Sequence, residues 1–388
     1  MAGLYLHVPY CRKACTYCDF HFSTQLGTQD RMVEAMQQEI KHRINDIAPM
    51  NTWYWGGGTP SILGIGSMEK LIATCHEVAP LAQGGEFTLE ANPEDLTASN
   101  LTEWRNLGIN RLSVGVQSFI DRRLVWMNRS HNGDEATIGI KRAQDLGFEN
   151  ISLDLIYGIP TTSLGEWQEN VGRAMDLGIP HLSTYALTVE ERTPLHYAIQ
   201  KGQTQLPEDA RAREDFLWLR AHLREENWDP YEISNASVPG KRSQHNSAYW
   251  EGIAYLGIGP GAHSFDGNLE RRWNVSNNAR YMQDWLSLGQ TQLHDGYSVR
   301  STRTSYEIEA LSLRDRLNEQ IMTNLRRSEG LERTKMGEHA STLDQAWSPF
   351  REQGWLIQNP ERWYLTDEGL LWMDRIASGG FIQAENLP

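Results

Sequence analysis

The stretch LYLHVPYCRKACTYC, residues 4–18, joins an apolar run of strand character to three cysteines, Cys11, Cys15 and Cys18. Iron-sulfur clusters are usually held by four cysteine thiolates, and no fourth cysteine lies nearby. Three thiolates at CxxxCxxC spacing therefore fit a cubane cluster one ligand short, whose open iron can bind another molecule. Such a cluster reads as a reagent rather than a wire. Zinc is an alternative, because it takes clustered cysteines completed by further cysteines or histidines, and His7 and His21 flank the run. A third reading leaves the cysteines incidental. The fourth cysteine, Cys75, falls in the helical pattern MEKLIATCHEV and reads as a small buried apolar residue.

Composition narrows the class. At 388 residues and 39% hydrophobic, the chain can bury a large core and is long enough for two domains. A formal charge of −14 argues against nucleic acid as the partner, since that affinity rests on Lys and Arg neutralising phosphates. No window approaches the roughly 18 apolar residues of a spanning helix, so an integral membrane protein is not expected. The N-terminus shows no signal-type segment, which leads us to expect a cytoplasmic protein in a reducing compartment, where clustered cysteines serve metals rather than disulfides.

Working outward from residue 4, strand-like segments alternate with helical ones. The strands are LYLHV (4–8), TWYW (52–55), EFTLE (86–90), RLSVGV (111–116), ISLDLI (151–156) and HLSTYAL (181–187). Helical patterns such as DRMVEAMQQEIKHRI, ASNLTEWRNLG, DEATIGIKRAQDLG and SLGEWQENVGRAMDLG lie between them, several closing on a glycine where a C-cap is expected. Six βα units imply an α/β fold with a parallel sheet, either an open barrel or a doubly wound sheet. Polar residues at the strand ends favour the barrel, whose sites are built at the C-terminal ends of successive strands. Strand one leads into the cysteines, strand two into Gly56, Gly57, Gly58 and Thr59, and strand three ends at Glu90. Strand four runs into Gln117, strand five contains Asp154, and strand six carries Tyr185.

Singly, each signal has an ordinary explanation. GGGTP is usually a turn, although its glycines also allow a ligand's polar end to approach the backbone. Glu90 at a strand end suits a helix cap as well as a ligand. Asp154, between Leu153 and Leu155, is more telling, because a carboxylate there is costly unless paired or bound to a ligand.

The ordered set CxxxCxxC, GGGTP, ExNP, VQSF and LDLIYGIP resembles the radical S-adenosylmethionine (SAM) enzymes. More narrowly it resembles the oxygen-independent coproporphyrinogen dehydrogenase group and, within it, the HemW group of haem chaperones, along essentially the whole chain. The resemblance implies a partial, open β6/α6 barrel, a 4Fe-4S cluster on Cys11, Cys15 and Cys18, and SAM bound through its amino and carboxylate groups to the open iron. An electron from a donor then breaks the sulfonium bond to give a 5′-deoxyadenosyl radical. Carried over residue by residue, it implies SAM contacts at Tyr5, Tyr17, Gly57, Gly58, Thr59, Glu90, Gln117, Arg129 and Asp154, with looser placements at Ala186 and Ile258. By charge, Glu90 suits the ammonium, Arg129 the carboxylate and Asp154 the ribose hydroxyls.

One departure bears on activity. The dehydrogenases continue the cluster motif with another cysteine, CxxCxC, whereas Cys15 and Cys18 are followed by Phe20. The chain also begins four residues before Tyr5, without the N-terminal extension of those enzymes. Both differences favour the HemW group. Its HNxxYW pattern is met by His245, Asn246, Tyr249 and Trp250, which offer an imidazole and an aromatic wall for haem. The same spacing also suits plain packing of a helix face. His263, in GIGPGAHSF, is a rival ligand.

The expected organisation is a barrel core over 1–235, a connecting segment with HNxxYW over 236–300, and a small, mainly helical, winged-helix-like domain over 301–388. In the last, helical patterns begin with 305–327 and a short hairpin of WLIQ and WYLT follows. Its charge does not support DNA reading, and the resemblance implies a lid or partner surface. Trp228, Trp250, Trp273 and Trp285 are expected to pack the two parts together. The tail SGGFIQAENLP is expected to be loosely docked. We expect a protein that binds haem and passes it to acceptor haem proteins such as respiratory ones, with homodimerisation an open option. The alternatives are a radical SAM oxidative decarboxylase, a coproporphyrinogen III dehydrogenase, and more remotely a zinc-bound structural module.

Overall fold

The computed structural model describes residues 2–43, 50–287, 293–294, 297–298 and 306–383. Each of the six expected strands forms: β1 (Ala2–Val8), β2 (Met50–Gly57), β3 (Leu81–Ala91), β4 (Arg111–Gln117), β5 (Ile151–Tyr157) and β6 (His181–Ala186). They pair in parallel in sequence order, with registers such as Tyr5 against Tyr54 and Asp154 against Ser183. Parallel strands covered by crossover helices are buried on both faces, which explains their near-continuous apolar runs. Leu4, Leu6, Trp53, Trp55, Leu89, Leu112, Leu153 and Leu182 are buried in one core with the inner faces of the helices.

The helix boundaries follow from capping. Thr97 and Ser163 accept N-terminal amides of the helices Ala98–Asn106 and Leu164–Asp176, and Asn132 with Glu135 forms a capping box on Gly133–Asp145. These three helices end at Gly108, Gly147 and Gly178, each with positive φ (+88°, +86° and +67°), the left-handed turn that returns the chain to the next strand.

The sheet is larger than six strands and unclosed. β7 (Asn235–Ser237) adds antiparallel to β6, while β8 (Tyr255–Ile258) adds parallel to β1 on the opposite side. β9 (His263–Phe265), β10 (Glu270–Asn274) and, beyond a short β11 (Leu293–His294) and β12 (Tyr297–Ser298) ladder, β13 (Tyr306–Ala310) extend that side. The segment expected as a connector is thus part of the sheet. Strands of three to five residues carry too little periodicity to be read in advance. The helix expected from 305 is corrected in the same way. Tyr306–Ala310 is a strand against β10, and the helix runs over Leu313–Leu325, with its start set by a Ser312–Asp315 capping box. The expected domain boundary at 300/301 and the tail residues 384–388 lie outside the described residues.

A second core begins at that helix. Ile321, Leu325, Leu331, Trp347, Leu356, Trp363 and Ile376 pack between short helices and the three-stranded sheet of β14 (Leu331–Glu332), β15 (Leu356–Gln358) and β16 (Arg362–Leu365). Trp347 and Trp363 meet edge to face at 5.3 Å. Of the four tryptophans expected between the parts, Trp228 and Trp285 belong with the barrel core. Trp273 lies against His263, and Trp250 meets the small domain, under the Arg326 guanidinium at 4.7 Å.

Ion pairs fasten the domains. Asp367 binds Arg220 (2.9 Å) and Arg224 of the helix Asp209–Glu225, and Arg242 reaches Asp229 and Glu329. Arg220 is 6% exposed, so removing its carboxylate strands a desolvated cation. Asp367→Ala is expected to cost about 2 kcal/mol, discounted from a fully buried pair because Asp367 stays partly solvated. Urea denaturation followed by tryptophan fluorescence should show the small-domain transition at lower urea and the barrel transition unmoved.

Candidate functional site

The cysteine loop leaves β1 at the C-terminal edge of the sheet. Cys11, Cys15 and Cys18 are free and half-buried. The Cys11 amide donates to Ser23 O, Thr59 Oγ1 donates to Cys11 Sγ (3.4 Å), and Arg129 donates to Cys15 Sγ (3.2 Å). Burial pushes the Cys18 thiol up to about 11 and raises that of Cys11, so a metal binding these two must displace their protons. Among the described residues, no three His, Cys, Asp or Glu side chains are gathered as around a single ion. His7 also spends both ring nitrogens internally, on Tyr5 OH (3.2 Å) and on His21 O (2.8 Å). That removes one of the two histidines that could complete a zinc site. The donor set fits the cluster: three thiols and a neighbouring guanidinium to offset thiolate charge.

The strand ends converge on the same edge. Gly57 has φ of +113°, and a Cβ on Gly58 would come within 2.6 Å of Tyr10 O, so the GGGTP turn follows the cysteine loop at a distance that only glycine permits. Glu90 accepts from Tyr54 OH (2.7 Å) and Gly57 N–H (3.2 Å). Burial still pushes its carboxyl up to about 7, with Asp154 adding to the rise. Asp154 accepts from Ser113 Oγ (3.3 Å) and Ser183, and burial raises it to about 6. Two carboxyls kept from full ionisation within one barrel are suited to a cationic, hydroxyl-bearing ligand.

Gln117 stands at φ +67° where the register shifts between Val114 and Gln117, an uncommon conformation for a side chain of its size. Arg129 donates to Asn92 Oδ1 (2.7 Å) and Gly115 O (2.6 Å), and its buried Nε has no hydrogen-bond partner among the described residues. Tyr5 and Tyr17 are half-buried, Ala186 is exposed at the end of β6, and Ile258 is wholly buried at the end of β8. Of the expected SAM residues, Tyr17 lies in the cysteine loop, Tyr5 and Asp154 lie at mid-strand in β1 and β5, Arg129 lies beside Cys15, and the rest lie at or just past strand ends. The supports Tyr54, Asn92, Ser113 and Ser183 were not singled out from the sequence. Asn92 had a signal in the ExNP motif, while the others depend on register.

A cavity of about 980 Å³ opens from this edge toward the small domain, at the upper end of ligand-pocket sizes. Tyr5, Gly57 and Glu90 line one part, Phe20, His21 and Phe22 another, and Tyr249, Trp250, Tyr255, His263 and Phe265 form an aromatic wall. The helix Gln244–Trp250 that carries HNxxYW is anchored by Ser243, and by Glu86, which accepts the Gln244 and His245 amides (both 3.1 Å). The motif divides here: Tyr249 and Trp250 reach the cavity wall, whereas His245 and Asn246 do not. His245 is 1% exposed, stacked at 5.0 Å on Tyr54, with Nδ1 on Thr52 Oγ1 (2.7 Å) and Nε2 on Tyr249 OH (2.8 Å). Burial pushes it down to about 3, leaving a neutral ring without a free nitrogen. His263 stacks on Trp273 at 5.9 Å, and no hydrogen bond engages its ring nitrogens among the described residues.

Residues 5–174 match the Radical SAM superfamily, and residues 311–372 match the HemN C-terminal domain. The fold and the site define a radical SAM protein, a class that implies a 4Fe-4S cluster and SAM. Over 383 residues the chain is 32% identical to the heme chaperone HemW of Bacillus subtilis (strain 168), covering 96% of this chain and 97% of that one. Over 389 residues it is 31% identical to HemW of Escherichia coli (strain K12), covering 96% of each. The chain belongs to the HemW family. Among solved structures, the coproporphyrinogen III oxidase HemN of Escherichia coli, a radical SAM enzyme, superposes with a TM-score of 0.80 over 98% of this chain and 90% of that one. At 22% identity this is a likeness of fold.

Glu90 holds its proton more tightly folded, near 7, than unfolded, near 4.5. Its stabilising contribution is therefore complete below pH 4.5 and lost as pH rises through 7. Glu90→Gln removes that loss. Chemical denaturation of the metal-free protein should find the variant more stable than the parent at pH 8 and nearly equal to it at pH 5.

Proposed function

We propose that this protein is a haem chaperone: it binds haem in the aromatic cavity and passes it to acceptor haem proteins, while carrying a 4Fe-4S cluster on Cys11, Cys15 and Cys18 and SAM beside it. The observation that carries this reading is the continuity of the cavity. One space joins the Gly57–Glu90 edge to the wall of Tyr249, Trp250, Tyr255 and Phe265, and is large enough for a flat apolar macrocycle. Full-length likeness to relatives named heme chaperones supports it. No helix among the described residues is long and apolar enough to cross a membrane, in keeping with the cytoplasmic site we infer.

When bound, cluster and SAM supply reductive cleavage of a sulfonium bond, fed by an external electron donor. The chain's own residues bind and orient. Glu90 receives an ammonium and Arg129 a carboxylate through its unpartnered Nε edge. Asp154, with Ser113 and Ser183, receives hydroxyls. Gly57, Gly58 and Thr59 present backbone and hydroxyl groups, and Tyr5, Tyr17, Gln117, Ala186 and Ile258 close the surround. Phe20, 68% exposed, occupies the stretch where the dehydrogenases continue with cysteine, and this counts against porphyrinogen decarboxylation.

Loss of any one cluster cysteine to alanine should abolish the iron-sulfur absorbance while far-UV circular dichroism is retained. Asp154→Asn should weaken SAM binding about 10- to 100-fold, the worth of one charge-assisted hydrogen bond, with iron per chain unchanged.

The central test is anaerobic haem titration of the reconstituted protein, beside an assay for coproporphyrinogen decarboxylation. Saturable one-to-one binding without decarboxylation is expected; turnover with non-saturable haem uptake would overturn the proposal. Spectra of His263→Ala and His245→Ala assign the iron's donor. A shift in the first places haem on the cavity imidazole. A shift confined to the second shows that His245 leaves Thr52 and Tyr249 to ligate.

A further inference from the structure

The aromatic wall of the cavity carries a feature the preceding assignments leave unused. Arg271, on β10 of the large sheet, and Arg316, on the helix Leu313–Leu325 of the small domain, both line the cavity. They converge on one carboxylate: Arg271 Nη2 lies 2.8 Å from Glu319 Oε1, and Arg316 Nη1 lies 3.1 Å from Oε2. Both guanidiniums sit over the Phe265 ring, at 5.3 and 4.6 Å, an arrangement that holds them against the apolar wall. Their side chains are 32% and 18% exposed, and Arg271 Nε is buried without an acceptor among the described residues. A guanidinium presents five N–H donors in a fork shaped for carboxylates, so two of them around one glutamate hold more donors than that glutamate can use.

Other charges along the cavity sharpen the contrast. Lys335, from the small domain, adds a third cation. Among the lining carboxylates, Glu251 is paired with Arg327 (3.1 Å), Glu90 is held by Tyr54 and Gly57, and Asp19 belongs to the cysteine loop. The wall shared by the two domains therefore combines surplus cationic donors with aromatic faces, beside an otherwise neutral imidazole at His263.

We propose that Arg271 and Arg316 are the carboxylate-binding wall of this cavity and select a flat apolar ligand bearing carboxylate arms over the same ligand with those arms masked. The assignment rests on the tetrapyrrole reading above and deepens it. It gives that ligand an orientation, arms toward the domain junction, and makes Glu319 an internal stand-in that neutralises the arginines when no ligand is present.

The experiment compares protoporphyrin IX with its dimethyl ester, both titrated in detergent by absorbance and fluorescence against the full-length reconstituted protein. The parent should bind the free acid at least about tenfold more tightly, the worth of a single charge-assisted hydrogen bond. Arg271→Leu with Arg316→Leu should abolish that preference and leave ester binding unchanged. Glu319→Gln, which frees both arginines without removing a cation, should tighten binding of the free acid severalfold and not of the ester. This gain remains informative if the double leucine variant loosens the junction. Saturable binding of both ligands with no preference in the parent, or a preference that survives in the double variant, overturns the assignment while the tetrapyrrole reading stands. Failure of both porphyrins to saturate overturns the reading itself, and the assignment with it.

Discussion

The Arg129 guanidinium ties the cysteine loop to the sheet. One side chain reaches Cys15 Sγ, Asn92 Oδ1 and Gly115 O, and so spans the loop after β1, the turn after β3 and the end of β4. Neighbouring contacts repeat the connection: Asn128 donates to Ala14 O, and the Thr16 amide to Met127 O. A loop with three thiols gains little from burial of its own, so its shape is imposed by polar contacts with the barrel rim. The positive charge of Arg129 then lies where thiolate charge must form, which makes one contact serve both architecture and chemistry.

The carboxyls show the complementary logic. Glu90 and Asp154 are each given hydrogen-bond donors, yet burial outweighs them and keeps both above their ordinary range. Keeping both carboxyls desolvated is a standing cost to the fold, which a cationic ligand would relieve. Arg111, 1% exposed inside the barrel, draws both carboxyls downward without cancelling the burial.

The cavity depends on two separately packed cores. Its walls come from the large sheet, the cysteine loop and the small domain's first helix, and the domains are held by Asp367 with Arg220 and Arg224 and by the contact of Trp250 with Arg326. The two apolar cores are separate, and the ion pairs fasten the junction between them.

Sequence alone was sufficient for the barrel strands, the three cysteines and the ordered strand-end residues, because each depends on local chemistry: apolar periodicity, capping residues, glycine turns and thiol spacing. It was insufficient for β7 to β10 and β13, which are too short to show a period and exist only because a sheet edge accepts their backbone groups. HNxxYW illustrates the same divide. Its aromatic members were legible as a cavity wall, whereas the burial of His245 between Thr52 and Tyr249 depends on how one helix docks beneath β1 and β2. Arg271 and Arg316, on separate domains, meet at Glu319 only in the folded chain. Which donors are left unpaired, and toward which space they face, follows from long-range packing, and tertiary structure alone decided it.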